Sequence, residues 1–195
     1  MKKILFLRHP PLKNSDGLCI GQTDAEALEY KLSDAALSIL ENNDIKKIYS
    51  SDLQRCQKTA ESFSAHIGAE LVISRNLREI SFGDWENRSW DEISENDPQA
   101  RKWFEDIENI VPPGGEALDV FTKRVMESVA ECASDDGEVV LIVTHAGVIR
   151  AVIAAVTGNN YIYTFSYQLD YNGITGVEWN TCYGDSRLLF VNRNG

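Results

Sequence analysis

Arg8 and His9 stand directly after four apolar residues, Ile4-Leu5-Phe6-Leu7, and before Pro10. A short buried strand that ends this way delivers a guanidinium and an imidazole to one lip of a sheet, where open α/β proteins bind ligands. An unprotonated imidazole is a nucleophile, and a guanidinium grips phosphate oxygens in pairs. Together they suit a phosphoryl group. Three other places offer matching groups: Arg55, shortly after the run 47–50; Glu79, in Leu77-Arg78-Glu79-Ile80; and His145, in Thr144-His145-Ala146-Gly147 after the apolar run 139–143. Each lies at or near a predicted strand end, so one edge of a parallel sheet can gather two histidines, two arginines and a carboxylate. Taken singly, each has an ordinary reading: Arg55 as a solvated partner of Asp52, Glu79 as a surface carboxylate, His145 as a hydrogen-bonded core imidazole. His66, just ahead of Gly68, is read only as favouring a helix C-terminus.

The elements that must hold these groups follow from periodicity. Apolar runs separated by helical stretches predict a three-layer α/β/α fold with a mostly parallel sheet and helices on both faces. Strands are read at 3–7, 47–50, 71–73 and 139–143. Ser33 opens a helix that runs to Asn42, with Ala36, Leu37 and Leu40 as its apolar face. Ser51 and Gln54 have the spacing of a capping box and begin a second helix, which Gly68 ends. The N-terminus of that helix favours an anion, and Arg55 in its first turns adds a bidentate clamp. Leu118, Phe121, Val125, Val129 and Cys132 recur at helical spacing, and the apolar stretch 148–156 after Gly147 reads as a further helix. Short helices at 89–96 and 98–108 carry Trp90 and Trp103 close to Trp85. These tryptophans read as core or, more sharply, the segment 81–109 reads as a small helical insertion that lids the site. Asn172-Gly173 has hairpin-turn chemistry, so 167–170 and 175–179 are expected to pair as an antiparallel edge.

At 195 residues the chain reads as one domain spanning 1–195. A net charge of −11 opposes binding to nucleic acid or to anionic membranes, so an anionic substrate needs a local concentration of arginine. Met1-Lys2-Lys3 and the four apolar residues after them mimic a secretion signal, but Arg8 and His9 cut the run short. A cytoplasmic protein is expected. Cys19, Cys56, Cys132 and Cys182 are scattered without a C-x-x-C, which suits reduced thiols better than a disulfide frame or a zinc site. With only three histidines, no metal centre and no cofactor are expected, and the partner is a small phosphate ester. Monomer and homodimer both stay open.

Four segments in order resemble the histidine phosphatase superfamily, the phosphoglycerate mutase-like fold. Leu7-Arg8-His9 is similar to its first motif, and Ser50-Ser51-Asp52-Leu53-Gln54-Arg55 with Thr59-Ala60 to its second. Leu77-Arg78-Glu79-Ile80 with Phe82-Gly83-Asp84-Trp85-Glu86 resembles the acid-bearing segment. Val143-Thr144-His145-Ala146-Gly147 with Ile149-Arg150 resembles the segment of the second histidine. There are departures: Pro10-Pro11 replace the usual Gly-Glu, Ser15 with Asn14 beside it occupies a position usually held by Asn, and Lys31-Leu32-Ser33 replaces Pro-Leu-Thr.

The resemblance implies a two-step mechanism. Neutral His9 attacks the phosphorus in line to form a phosphohistidine, while Arg8, Arg55 and a protonated His145 hold the equatorial oxygens without a metal. Glu79 protonates the leaving alkoxide and later deprotonates the attacking water. Neighbouring arginines also disfavour a further positive charge on either histidine. Ala146, beside His145, is counted with the substrate-binding residues. Gly17-Leu18-Cys19-Ile20-Gly21-Gln22-Thr23-Asp24 is similar to a segment of the bacterial α-ribazole phosphatases within this family. It implies α-ribazole 5′-phosphate as substrate, with Gln22 and Thr23 near the phosphate or ribose. Arg78 and Arg88 could serve the second phosphate of a mutase, and both equally suit a solvated surface.

Overall fold

The run Ile4-Leu5-Phe6-Leu7 is fully buried because β1 (Lys2–Arg8) is covered on both faces. Successive strand side chains point to opposite faces. Ile4 and Phe6 accordingly join one apolar cluster, whereas Leu5 and Leu7 join the other. This placement comes from a computed structural model that describes residues 1–30, 32–134, 139–180 and 186–194. The remaining strands are β2 (Ile45–Ser50), β3 (Glu70–Ile73), β4 (Val139–Thr144), β5 (Ile174–Trp179) and β6 (Arg187–Arg193). They form one six-stranded sheet in the order β3-β2-β4-β1-β5-β6. β3, β2, β4 and β1 run parallel, and β5 is antiparallel to both β1 and β6.

Helices cover both faces, which gives the α/β/α layering that the alternation of patterns predicts. α1 (Asp34–Glu41) and α2 (Gln54–Ile67) pack Ala36, Leu40, Cys56, Ala60 and Phe63 beside Leu5, Leu7 and Ile48. On the other face lie α3 (Trp90–Asn96), α4 (Pro98–Glu105), α5 (Leu118–Ser134) and α6 (Ala146–Thr157). Phe121, Val125 and Val129 of α5 pack there with Val148, Ile149 and Val152 of α6. Each buried side chain of this size contributes about 1.5–3 kcal/mol relative to exposure. Among the described residues no helix is long and apolar enough to cross a membrane.

The ends of the helices show which local signals acted. Ser33 caps α1 by accepting from Ala36 N at 3.2 Å, and Gly68 closes α2 in the left-handed region at φ 70°. The expected Ser51/Gln54 capping box does not form, because Ser51 lies three residues ahead of the first helical residue. Gln54 N donates instead to Asp24 Oδ1 at 2.7 Å, so a carboxylate thirty positions away caps α2. The expected hairpin across Asn172-Gly173 is also replaced. Residues 167–170 form no strand, and β5 pairs with β1 on one side and β6 on the other. The turn is real, with Asn172 at φ 59°, but it docks on the end of β1: Asn172 N donates to Arg8 O, and Arg8 N to Gly173 O. Cys19, Cys56 and Cys132 are buried free thiols, with burial pushing Cys19 and Cys132 up to about 12. Lys31 and Cys182 lie outside the described residues.

Candidate active site

The register of β1 against β4 brings the two histidines together. Arg8 pairs with Thr144, so the next residues, His9 and His145, leave the sheet side by side. His9 N donates to Thr144 O at 2.9 Å, and the two imidazoles meet edge-on with centroids 5.2 Å apart. Ser51 N donates to Val143 O at the end of β2, which draws the start of α2 to the same edge.

His9 Nδ1 lies 2.8 Å from Pro10 O. A carbonyl only accepts, so Nδ1 carries the hydrogen and Nε2 keeps its lone pair. Proline supplies this carbonyl as well as glycine would, so the Pro10 departure leaves the contact intact. Burial, then Arg55 and Arg8, hold the pKa of His9 well below the ordinary imidazole value. The ring is 5% exposed and borders a cavity of about 210 Å³ that Arg8, Arg55, Glu79 and Tyr171 also line.

Arg55, in the first turn of α2, is 1% exposed. Its Nη1 donates to Thr23 O and its Nη2 to Gly21 O, both at 2.6 Å, and its Nε to His145 Nδ1 at 3.3 Å. A guanidinium has five N–H groups. These bonds use three, leaving one on each Nη for an anion in the cavity. The segment 17–24 is the cradle that sets this geometry. Gly21 sits at φ 50°, and a Cβ there would come within 2.3 Å of Glu86 Oε1. Glu86 ties the cradle together by accepting from Gln22 N, Phe82 N and Thr23 Oγ1.

His145 is fully buried. Since Arg55 Nε can only donate, His145 Nδ1 accepts, and Nε2–H donates to Ser51 Oγ at 3.0 Å. Burial first, then Arg55, His9, Arg8 and Arg124, hold its pKa well below the ordinary value. These causes favour the neutral ring in the empty site, and the protonated form that the resemblance implies for catalysis is one that an incoming anion would favour. Just beyond it, Ala146 begins α6 and packs against the core rather than lining the cavity. Glu79 reaches the same helix end. Its Oε2 accepts from Gly147 N at 3.0 Å and its Oε1 from Ile80 N at 3.0 Å. A Cβ on Gly147 would lie 2.0 Å from Glu79 Oε1, so only glycine leaves room for this carboxylate.

The chain matches the model of the histidine phosphatase superfamily (branch 1) over residues 4–192. The chain belongs to this superfamily. Its relatives include a metal-independent phosphoserine phosphatase of Arabidopsis thaliana, 31% identical over 80% of this chain and 68% of the relative. The adenosylcobalamin/alpha-ribazole phosphatase of Escherichia coli is 24% identical over 96% of this chain and 95% of its own. The solved structure of Bacillus stearothermophilus YhfR superposes with a TM-score of 0.84 at 27% identity, covering 97% of this chain and 96% of the other.

The remaining residues of this histidine phosphatase divide into contacts that face the cavity and contacts that build it. Arg8 stacks its guanidinium 3.9 Å from the centroid of Tyr171, donates from Nη1 to Leu169 O, and keeps a buried Nε without a partner. Arg8 borders the cavity, and its positive charge there suits an anion. Gln22 and Thr23 do not line the cavity: Gln22 Nε2 donates to Glu79 O at 3.1 Å and Thr23 Oγ1 to Glu86 Oε2 at 2.8 Å. Asn14 is exposed, in the left-handed region, and away from the lining. Arg78 pairs with both oxygens of Asp52, and Arg88 pairs with Glu92. His66, late in α2, meets Glu41 at 2.7 Å.

Sequence reasoning missed Tyr171 and Arg124. Tyr171 belongs to no periodic pattern and reaches the site only because the Asn172 turn docks on β1. Arg124 sits on the polar side of α5, where it reads as a solvated residue. Its guanidinium instead donates to Asn76 O, Arg78 O and Glu79 O at 2.9 Å while it pairs with Glu116. It thereby fixes the loop that carries Glu79.

Proposed function

We propose that this histidine phosphatase hydrolyses small phosphomonoesters through a phosphohistidine on His9, without a metal, and that its physiological ester is α-ribazole 5′-phosphate. The observation that carries the mechanism is the bond between His9 Nδ1 and Pro10 O, which leaves Nε2 as a free lone pair at the cavity. Nε2 attacks phosphorus in line and the ester oxygen departs. Arg8, whose guanidinium borders the cavity, and Arg55, through its two spare N–H groups, hold the equatorial oxygens. His145 adds its single N–H once it turns from Ser51 to the phosphate. Glu79 hands a proton to the departing alkoxide and takes one from the water that cleaves the phosphohistidine, so that each turnover restores both residues.

The substrate reading draws on the segment 17–24 and on the E. coli relative. A broad-specificity phosphatase is the second reading, favoured by the phosphoserine phosphatase among the relatives. A mutase is disfavoured, because Arg78 and Arg88, the candidates for a second phosphate, already hold Asp52 and Glu92. Buried free thiols at Cys19, Cys56 and Cys132 fit a reducing compartment, the cytoplasm.

The test is phosphate release from α-ribazole 5′-phosphate beside a panel of common monoesters, with excess chelator, for the wild type and His9→Ala. Preference for α-ribazole 5′-phosphate, kept under chelation and lost in the variant, is the expected result. Activity without preference removes the pathway and keeps the mechanism; activity that chelation abolishes removes the metal-free mechanism.

A further inference from the structure

The cavity at His9, about 210 Å³, is small. Small-molecule sites generally span about 300–1,000 Å³, so the space around the nucleophile takes a phosphoryl group and little of the alcohol esterified to it. Phe82 and Trp90 line that cavity, and the same two residues line a second one of about 560 Å³. Trp103 and Phe104 extend its wall on the side of α3 and α4. Ile162 and Phe165 of the 3₁₀ helix Tyr161–Ser166 close the other side. Among the described residues no Lys, Arg, His, Asp or Glu lines it.

The cleft combines a built wall with an exposed one. Trp90 and Trp103 lie with their planes 15° apart at 6.0 Å, and Phe104 packs against both. Phe165 is held by the Arg150 guanidinium, 4.5 Å from its centroid. Yet Phe104 is 51% exposed, Phe165 53% and Ile162 43%. Contiguous exposed apolar groups of this kind mark a binding surface, and here the surface adjoins the nucleophile through shared walls.

We propose that this cleft is the leaving-group site, and that it selects phosphomonoesters whose alcohol carries a flat apolar group. The assignment rests on His9 acting as the phosphoryl acceptor. A phosphoryl group at His9 directs the ester oxygen past Phe82 and Trp90, and an aromatic substituent on that alcohol buries its faces between Phe104 and Phe165. A carboxylate on the alcohol would find no cationic side chain among the lining residues there to offset its desolvation. The segment 81–109 therefore acts as a specificity wall. α-Ribazole 5′-phosphate, with its bicyclic base, is one member of the selected class.

Steady-state kinetics on 2-naphthylethyl phosphate and ethyl phosphate tests this, since both release an alkoxide of similar basicity. The wild type is expected to show a kcat/KM at least about tenfold higher for the naphthyl ester. Phe104→Ser and Phe165→Ser are each expected to lower that ratio about tenfold, or about 1.4 kcal/mol, chiefly through KM. As an independent measure, 2-naphthylethanol should inhibit the wild type competitively and each variant about tenfold more weakly. Turnover without preference, or an equal loss for both esters, overturns the cleft assignment alone. Failure of the wild type to cleave any ester overturns the phosphatase reading beneath it. Self-association that Phe104→Ser weakens while the ester ratio stays fixed also overturns the assignment, giving the cleft to a second copy of the chain.

Discussion

At the scale of single residues, the charge state of His9 decides whether the site can act. Burial and the two guanidinium groups depress its pKa, so the nucleophile stays neutral well into the acid range. The acid limb of kcat/KM is expected below the ordinary imidazole value of about 6.5; a limb at or above that value contradicts the assignment. Removing the ring in His9→Ala should cost about 10⁴-fold or more in turnover, the scale of losing a nucleophile. Gly147 makes a finer test. A methyl group there collides with Glu79 Oε1, the mobile end of a side chain, so the carboxylate is displaced and the helix is not. Gly147→Ala should lower kcat about 10²-fold, the scale of lost acid–base catalysis. Its stability should fall by only about 1 kcal/mol, the scale of the Gly147 N to Glu79 hydrogen bond that the displaced carboxylate gives up.

At the scale of elements, the site depends on partners that lie far apart in sequence. α5 presents Arg124 to three carbonyls of the Glu79 loop and, with Glu116, forms a pair that is largely shielded, the side chains being 18% and 14% exposed. Arg124→Met is expected to cost about 2 kcal/mol, in the range for hydrogen bonds to charged groups. Because the loop loosens while the cradle of Arg55 stays, kcat should fall with KM nearly unchanged, a split that a purely structural loss would not give. α2 depends likewise on Asp24, and Asp24→Ala should cost about 1 kcal/mol, the worth of an N-terminal cap. Urea unfolding of both variants checks these figures. The local signals were legible where they acted locally: Ser33 begins α1 and Gly68 ends α2, as their types predict. The Ser51/Gln54 pattern misled because α2 begins only at Gln54, whose N–H is taken by Asp24, a long-range carboxylate invisible to spacing.

At the scale of the whole molecule, two buried neutral histidines couple stability to pH. For both His9 and His145 the folded pKa lies below the unfolded one. Below about pH 6.5 the unfolded chain takes up protons that the folded chain refuses, so stability is complete above that value and falls as pH drops through the window down to the folded values. The limiting slope is about 1.4 kcal/mol per pH unit for each histidine. Urea midpoints that stay level between pH 7.5 and about 5.5 would show that the rings protonate without cost. The amino-acid sequence by itself determined the sheet's buried strands, the helices on both faces and the placing of Arg8, His9, Arg55 and His145 at strand ends or helix starts. Those follow from apolar runs, helical periodicity and residue order, which are properties of neighbouring residues. Tertiary structure alone decided the tautomers of both histidines, the cradle that Gln22, Thr23 and Glu86 build for Arg55, and the reach of Arg124 and Tyr171. It also decided that β5 pairs with β1 and β6. No strand is read from the sequence at β6, and which edge it joins is set by packing between residues distant in the chain. Register and hydrogen-bond partners are chosen by that packing, and no local pattern encodes them.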